Sequence, residues 1–324
     1  MENIKSTFEI TPSTNIIGVL GSSGYTLETA LADIIDNSIA AHARIVKVHF
    51  NVDGKPEEDN VMIIDDGDGM SLEAMKNAAI IANVSKDFDR ADDDLGRYSL
   101  GLKSASMSFC NRLYISSKEK GQAANTVYID FEEIVSTQSW KAYVTNDSKF
   151  EQQIGESGTV IVWEKLKFVD YKEYDRKMLN QHIYSVENHL SHVFSDFIKK
   201  DSLSIFIGKN RIKPWDPFMT DLDTIKTLSV DPIDYKNESI VITPYILPVV
   251  SSLNETAQKD MTGKGLSEQQ GFYVYRNGRM ISEGGWLGLN GLSVDNKSQY
   301  ARIRVDIPST LDDDFKVNFM KNSI

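Results

Sequence analysis

Residues 31–43 read LADIIDNSIAAHA, and this stretch decides the fold. From Leu27 onward, apolar side chains fall at Leu27, Ala30, Leu31, Ile34, Ile35 and Ile39. That is the spacing of a helix with one buried face, and it predicts a helix over 27–43. Asp33 and Asn37 lie one turn apart and share a face, beside Ala30, Ile34 and Ala41. Asp36 is expected on the solvent side. A carboxylate one turn from an amide on the buried side of a helix is costly without a partner. Asn37 can hold Mg²⁺ through its carbonyl oxygen, and Asp33 can orient or deprotonate a water. The bland alternative is a pair of exposed polar side chains.

Working outward, RIVKVHFNV (44–52) alternates like a strand, and NVMIIDDGDGM (60–70) is an apolar strand running into an acidic glycine turn. Gly67 and Gly69 permit tight turns and close approach of a ligand. Asp65, at the strand end, is expected to be partly buried and to need donors, which the amine and ring of an adenine can supply. The alternatives are an ordinary turn or a calcium loop, although DDGDGMSLEAMK lacks an EF-hand's ligands in register. SLEAMKNAAIIA (71–82) reads as a Ser-capped helix and 85–95 as a loop.

Next comes GRYSLGLKSASMSF (96–109). Gly96 and Gly101 flank a short loop, and Lys103 with Ser104 opens a helix, where backbone N–H groups favour anions. It is not a Walker loop, and on its own it reads equally as a glycine turn. Strands follow at 111–117 and 125–131. GESGTVIVWE (155–164) puts Thr159 at the mouth of another, where it is either an adenine contact or a plain β-branched strand residue.

The chain has 324 residues, 41% of them hydrophobic and 25% charged, with a formal net charge of -12. That length predicts two domains, divided as 1–170 and 171–324. The acidic balance opposes non-specific binding to nucleic acid or anionic membranes by the chain as a whole. Cys110 is the single cysteine, so there is no internal disulfide. With neither a signal-like start nor a long apolar run, the sequence reads as cytoplasmic. Beyond 170, a long helix is expected over 178–200, a hairpin in LSIFIGKNRIKPWDPF (203–218), and strands in ESIVITPYILPVV (238–250), GFYVYRNGRMI (271–281) and YARIRVDIP (300–308). Residues 251–268 are polar and expected to be loose.

In this order, Asp33-x-x-x-Asn37, Asp65-x-Gly67-x-Gly69, Gly96…Gly101-Leu102-Lys103-Ser104 and Gly158-Thr159 resemble the four motifs of the GHKL ATPases. LADIIDNSIAAHA and GRYSLGLKSASM look most like the Microrchidia (MORC) branch and its bacterial relatives. In the second half, GFYVYRNGRMIS looks like part of the family's S5-like transducer. DDDFKVNFMKNSI (312–324) resembles its end, with Lys321 at the place of a lysine that reaches the γ-phosphate.

The resemblance implies an α+β protein, a Bergerat-type α/β sandwich followed by a transducer. ATP and Mg²⁺ would be its cofactors, under a lid of about residues 84–103. Asp65 would pair with adenine, with Thr159 reaching the same ring. Ala41 and Met70 would pack on the base. Asn37 would coordinate Mg²⁺. Gly96, Ser99, Leu100, Gly101, Leu102, Lys103 and Ser104 would enclose the triphosphate, and Asp33 would be the catalytic carboxylate. Two heads would dimerise on ATP as a clamp, with further domains or protein partners.

The bacterial relatives imply DNA-linked or defence work, which the acidic balance does not assign to this chain's own surface. The chain ends three residues after Lys321, so a longer natural protein is expected. Three positions depart from the pattern. Asp33 replaces the usual Glu and is one methylene shorter, Ala40 replaces an acid, and Ser99 replaces a glycine. Slow turnover follows from misplacement of the water. A nucleotide-sensing interaction module, or a chaperone-like protein with little turnover, is the alternative.

Overall fold

The computed structural model describes residues 12–80, 101–145, 149–262, 265–289, 291–312 and 314–315. Its first layer of helices comprises α1 (Ile16–Gly21), α2 (Leu27–Ala40), α3 (Leu72–Ala79) and α4 (Gly101–Phe109). The strands that accompany them are β1 (Ile45–Asn51), β2 (Asn60–Asp65), β3 (Cys110–Lys118), β4 (Asn125–Asp130), β5 (Tyr143–Thr145) and β6 (Gly158–Leu166), with α5 (Phe131–Thr137) between β4 and β5. Then come α6 (Arg176–Val193), α7 (Ser195–Lys199), β7 (Ser204–Ile207) and β8 (Asn210–Arg211).

Among the described residues these eight strands form one sheet, ordered β5-β4-β3-β6-β2-β1-β7-β8. Its pairings are antiparallel except β1 with β7. Period-two alternation sends Val46, Val48, Val61, Ile63, Leu113, Ile115, Ile161 and Trp163 into a core with Leu31, Ile34, Ile35, Leu190 and Phe194. The opposite face buries Ile64, Val160 and Val162 under Phe150 and Ile154. Central strand β6 is therefore covered on both faces, which is why it reads as an unbroken apolar run.

The second sheet contains β9 (Lys226–Thr227), β10 (Asp231–Tyr235), β11 (Glu238–Ile246), β12 (Gly271–Arg276), β13 (Arg279–Glu283) and β14 (Ala301–Ile307), with α8 (Glu255–Thr262) inserted after β11. The order is β10-β11-β14-β12-β13, with β9 against β11. Its small cores gather Ile240, Val274, Ile281, Ile307 and Leu311 on one side, and Phe218, Tyr273, Tyr275 and Met280 on the other.

Two large mixed sheets with helices packed against them make this an α+β protein consistent with a Bergerat-type sandwich. Several expectations shift. The helix expected over 27–43 stops at Ala40, and His42 turns the chain at φ +59°. The helix expected over 178–200 breaks at the buried Phe194. The hairpin at 204–211, assigned from sequence to the second half, extends the first sheet, because β7 pairs with β1. The stretch 251–268 holds α8, anchored by buried Ala257 and Met261.

Candidate functional site

Helix α2 starts on Thr26, whose hydroxyl accepts from the Thr29 amide while Thr29 reaches back, a reciprocal cap. That start fixes the rotation of the helix and hence where its acids point. Asp33 is 3% exposed and Asp36 wholly buried, whereas Asn37 is exposed. The expectation of a solvent-facing Asp36 is thus overturned. The second sheet lies over that side, and Arg279 of β13 donates from Nε to Asp36 Oδ1 at 2.9 Å. The other guanidinium end lies 3.6 Å from Asp33 Oδ1. Tyr25 donates its hydroxyl to Asp33 Oδ2 at 2.5 Å. Burial, and then the charge of Asp33, push the Tyr25 phenol far up, so it remains a donor. Asn37's amide has no hydrogen-bond partner among the described residues.

Asp65 ends β2 beside the mouth of β6, in register with Thr159. Its Oδ1 accepts from the amides of Gly67 at 3.0 Å and Thr159 at 3.1 Å. Its Oδ2 accepts from the Ser38 hydroxyl at 2.9 Å. A carboxylate offers about four lone-pair sites, so a position remains for one further donor. Burial raises its pKa above the ordinary 3.8, opposed by these hydrogen bonds.

The acidic turn is shaped by its glycines. A Cβ on Gly67 would stand 2.6 Å from Ala41 O, and one on Gly69, at φ +77°, 2.0 Å from Lys118 O. Asp66 accepts from the amides of Arg44 and Ile45, tying the turn to the start of β1. Met70 and Ala41 are half-buried beside it. Ser117 of β3 takes the Met70 amide at 2.8 Å, donates to Gly158 O at 3.1 Å and lies 2.8 Å from the Thr159 hydroxyl.

Helix α4 brings its glycine end to α2. A Cβ on Gly101 would lie 3.3 Å from Asp33 Oδ2. Leu102 is half-buried against the core, and Ser104 is buried next to Tyr25, to which it hydrogen-bonds. Lys103 is buried, and its ammonium donates to Ala78 O at 2.9 Å and Ile80 O at 2.5 Å, at the end of α3. Burial lowers its pKa to about 8. Gly96, Ser99, Leu100 and Lys321 lie outside the described residues.

One region thus brings together a buried acid with an open acceptor position, a glycine-shaped turn, an exposed amide and a helix N-terminus over a second acid. Residues 25–159 match the family of histidine kinase-, DNA gyrase B-, and HSP90-like ATPases. The match supports the GHKL superfamily for this part of the chain, and with it ATP binding and ATPase-type function. No curated protein matches the chain. Among the described residues, no helix is long and apolar enough to cross a membrane.

Residues without a recognisable motif complete this region. Ser38 and Ser117 hold Asp65 and Thr159; their signal was a serine beside Asn37 and a polar pair, Ser116–Ser117, ending an apolar strand. Tyr25 and Arg279 hold the acids of α2, and Arg279 carried no local signal.

Proposed function

We propose that this chain is a MORC-like, ATP-gated clamp head that hydrolyses ATP slowly, with Mg²⁺ as cofactor. The observation that carries the reading is Asp65: three donors from three separate segments fix its carboxylate, two on Oδ1 and one on Oδ2, and leave one acceptor position on Oδ2. An exocyclic amine such as adenine's fits that position. Thr159, Met70 and Ala41 would pack on the rest of the base in this reading. Asn37 is the magnesium ligand in this reading. Among the described residues no three acids, histidines or cysteines cluster to hold a metal, and one protein oxygen plus phosphates and waters is an ordinary magnesium shell. Asp33 orients the attacking water. Gly101, Leu102 and Ser104, with Gly96, Ser99 and Leu100, surround the phosphates, Lys103 braces that loop against the end of α3, and Lys321 supplies positive charge. The first domain runs through β8, and the second sheet is the S5-like transducer. ATP-dependent self-association, further domains and DNA-linked work belong to the same proposal.

A second reading has its own support. Asp33 is 2% exposed in its side chain and engaged by Tyr25 and Arg279, an arrangement suited to a nucleotide sensor with little turnover.

Titration with a fluorescent ATP analogue and Mg²⁺, alongside phosphate release, tests both. Asn37→Ala is expected to weaken Mg-dependent binding; equal affinity in the two proteins would remove the assigned site. Asp33→Asn is expected to keep binding while phosphate release falls roughly 10²–10⁴-fold, the usual share of a general base. If the sensor reading holds, release is near background already and Asp33→Asn leaves it there.

A further inference from the structure

Arg279 opens β13 in the second sheet, yet its guanidinium is buried against α2, which carries the acids of the nucleotide site. The turn before it, Asn277 at φ +48° and Gly278 at φ +81°, is a tight two-residue hairpin that fixes where the arginine leaves the sheet. Nε is hydrogen-bonded to Asp36 at 2.9 Å. The 3.6 Å separation from Asp33 is too long for a hydrogen bond and is a Coulombic contact. In a site where the side chains are 0–2% exposed, such a contact is screened far less than at the surface. Asp33 is held on its other oxygen by Tyr25. The carboxylate is thereby suspended between a phenol of the first unit and a guanidinium of the second.

We propose that Arg279 is a positioning residue for Asp33: gripped by Asp36 and anchored in the second sheet, it sets the orientation of the Asp33 carboxylate and transmits displacement of that sheet to it. The inference rests on the proposed role of Asp33 in orienting water. A purely structural arginine would only neutralise buried Asp36, and the two roles separate experimentally.

The full chain is compared with Arg279→Met, Arg279→Lys and the double variant Asp36→Asn/Arg279→Met. Affinity for a fluorescent ATP analogue, single-turnover phosphate release and melting temperature are measured. For Arg279→Met, release is expected to fall roughly tenfold to a hundredfold, the scale of a small misplacement of a reacting group, with affinity held within about threefold. Arg279→Lys recovers part of the rate. The double variant, which removes the acid that Arg279 grips and leaves Asp33 on the Tyr25 hydroxyl, and so folds even where Arg279→Met does not, regains melting temperature but stays slow. The inference is overturned if the double variant recovers the rate along with stability, or if Arg279→Met turns over like the wild type. A wild-type chain that binds no ATP sinks the functional reading itself, and the inference with it.

Discussion

In the proposed reading Asp65 has to satisfy two conflicting demands. It would present a carboxylate to a ligand, and it must exist inside the protein without one. Three donors ease the second demand, but burial still raises its pKa. A carboxyl with a raised folded pKa contributes stability while protonated, below its unfolded value near 3.8, and that contribution is lost as pH rises through the folded pKa. At neutral pH the ionised group therefore costs stability. Asp65→Asn keeps an oxygen for the Gly67 and Thr159 amides and removes the charge. It should match or exceed the wild type in urea midpoint at pH 7, and lose that advantage in acid below the ordinary carboxylate range. Its affinity for ATP should fall roughly tenfold to a hundredfold, since a mispaired buried donor or acceptor costs about 1–3 kcal/mol. Lower stability at pH 7 combined with undiminished affinity would contradict both halves of the argument.

Helix α3 is held at its start by Ser71, whose hydroxyl accepts from the Ala74 amide. Its end is held by Lys103, reaching from α4 to two of its final carbonyls. Helix ends leave such acceptors unpaired, so Lys103 joins α4 to the end of α3. Its folded pKa of about 8 lies below the unfolded 10.5. The unfolded chain therefore binds the proton more tightly, and native stability rises with pH across that window. Replacing Lys103 with Met deletes this dependence. The wild type should gain on Lys103→Met in chemical denaturation between pH 8 and 10.5, and parallel curves would show that the ammonium is not buried as described.

Elements also show where local pattern was sufficient. Helix α2 and strand β6 were legible because one face, or both, is buried by residues of matching period. Strand β10 was not, because all five of its residues are exposed, so no hydrophobic alternation marks it. The break at Phe194 was not legible either, since apolar periodicity runs on through two helices packed in one core.

At the level of the molecule, the two sheets are joined by charge as well as by packing. Arg304 of β14 forks onto Asp196 of α7 at 2.9 and 2.6 Å while bonding Asp306 on its own strand. His192 of α6 meets Glu283 of β13 at 2.9 Å and stacks on Trp215. Removing one partner of a largely buried pair strands the other, so Arg304→Met should cost about 3 kcal/mol, the low end for such a pair. Hydrogen exchange is expected to quicken in β11, β12 and β14 while amides of β2 and β6 stay protected. Uniform loosening of both sheets would instead mean that they unfold as one unit.

The family resemblance over 25–159, the helices that carry it and the apolar strands beneath were readable because each is written in neighbouring residues, through side-chain periodicity and turn chemistry. The fate of the charged groups was not. Asp36 looked solvated on its helix and is buried because Arg279, 243 positions away along the chain, comes to lie against it. Lys103 looked free for an anion and is spent on the end of α3. Whether a charge is paired, desolvated or open to a ligand depends on which distant segments fold against it, and only the assembled sheets decide that.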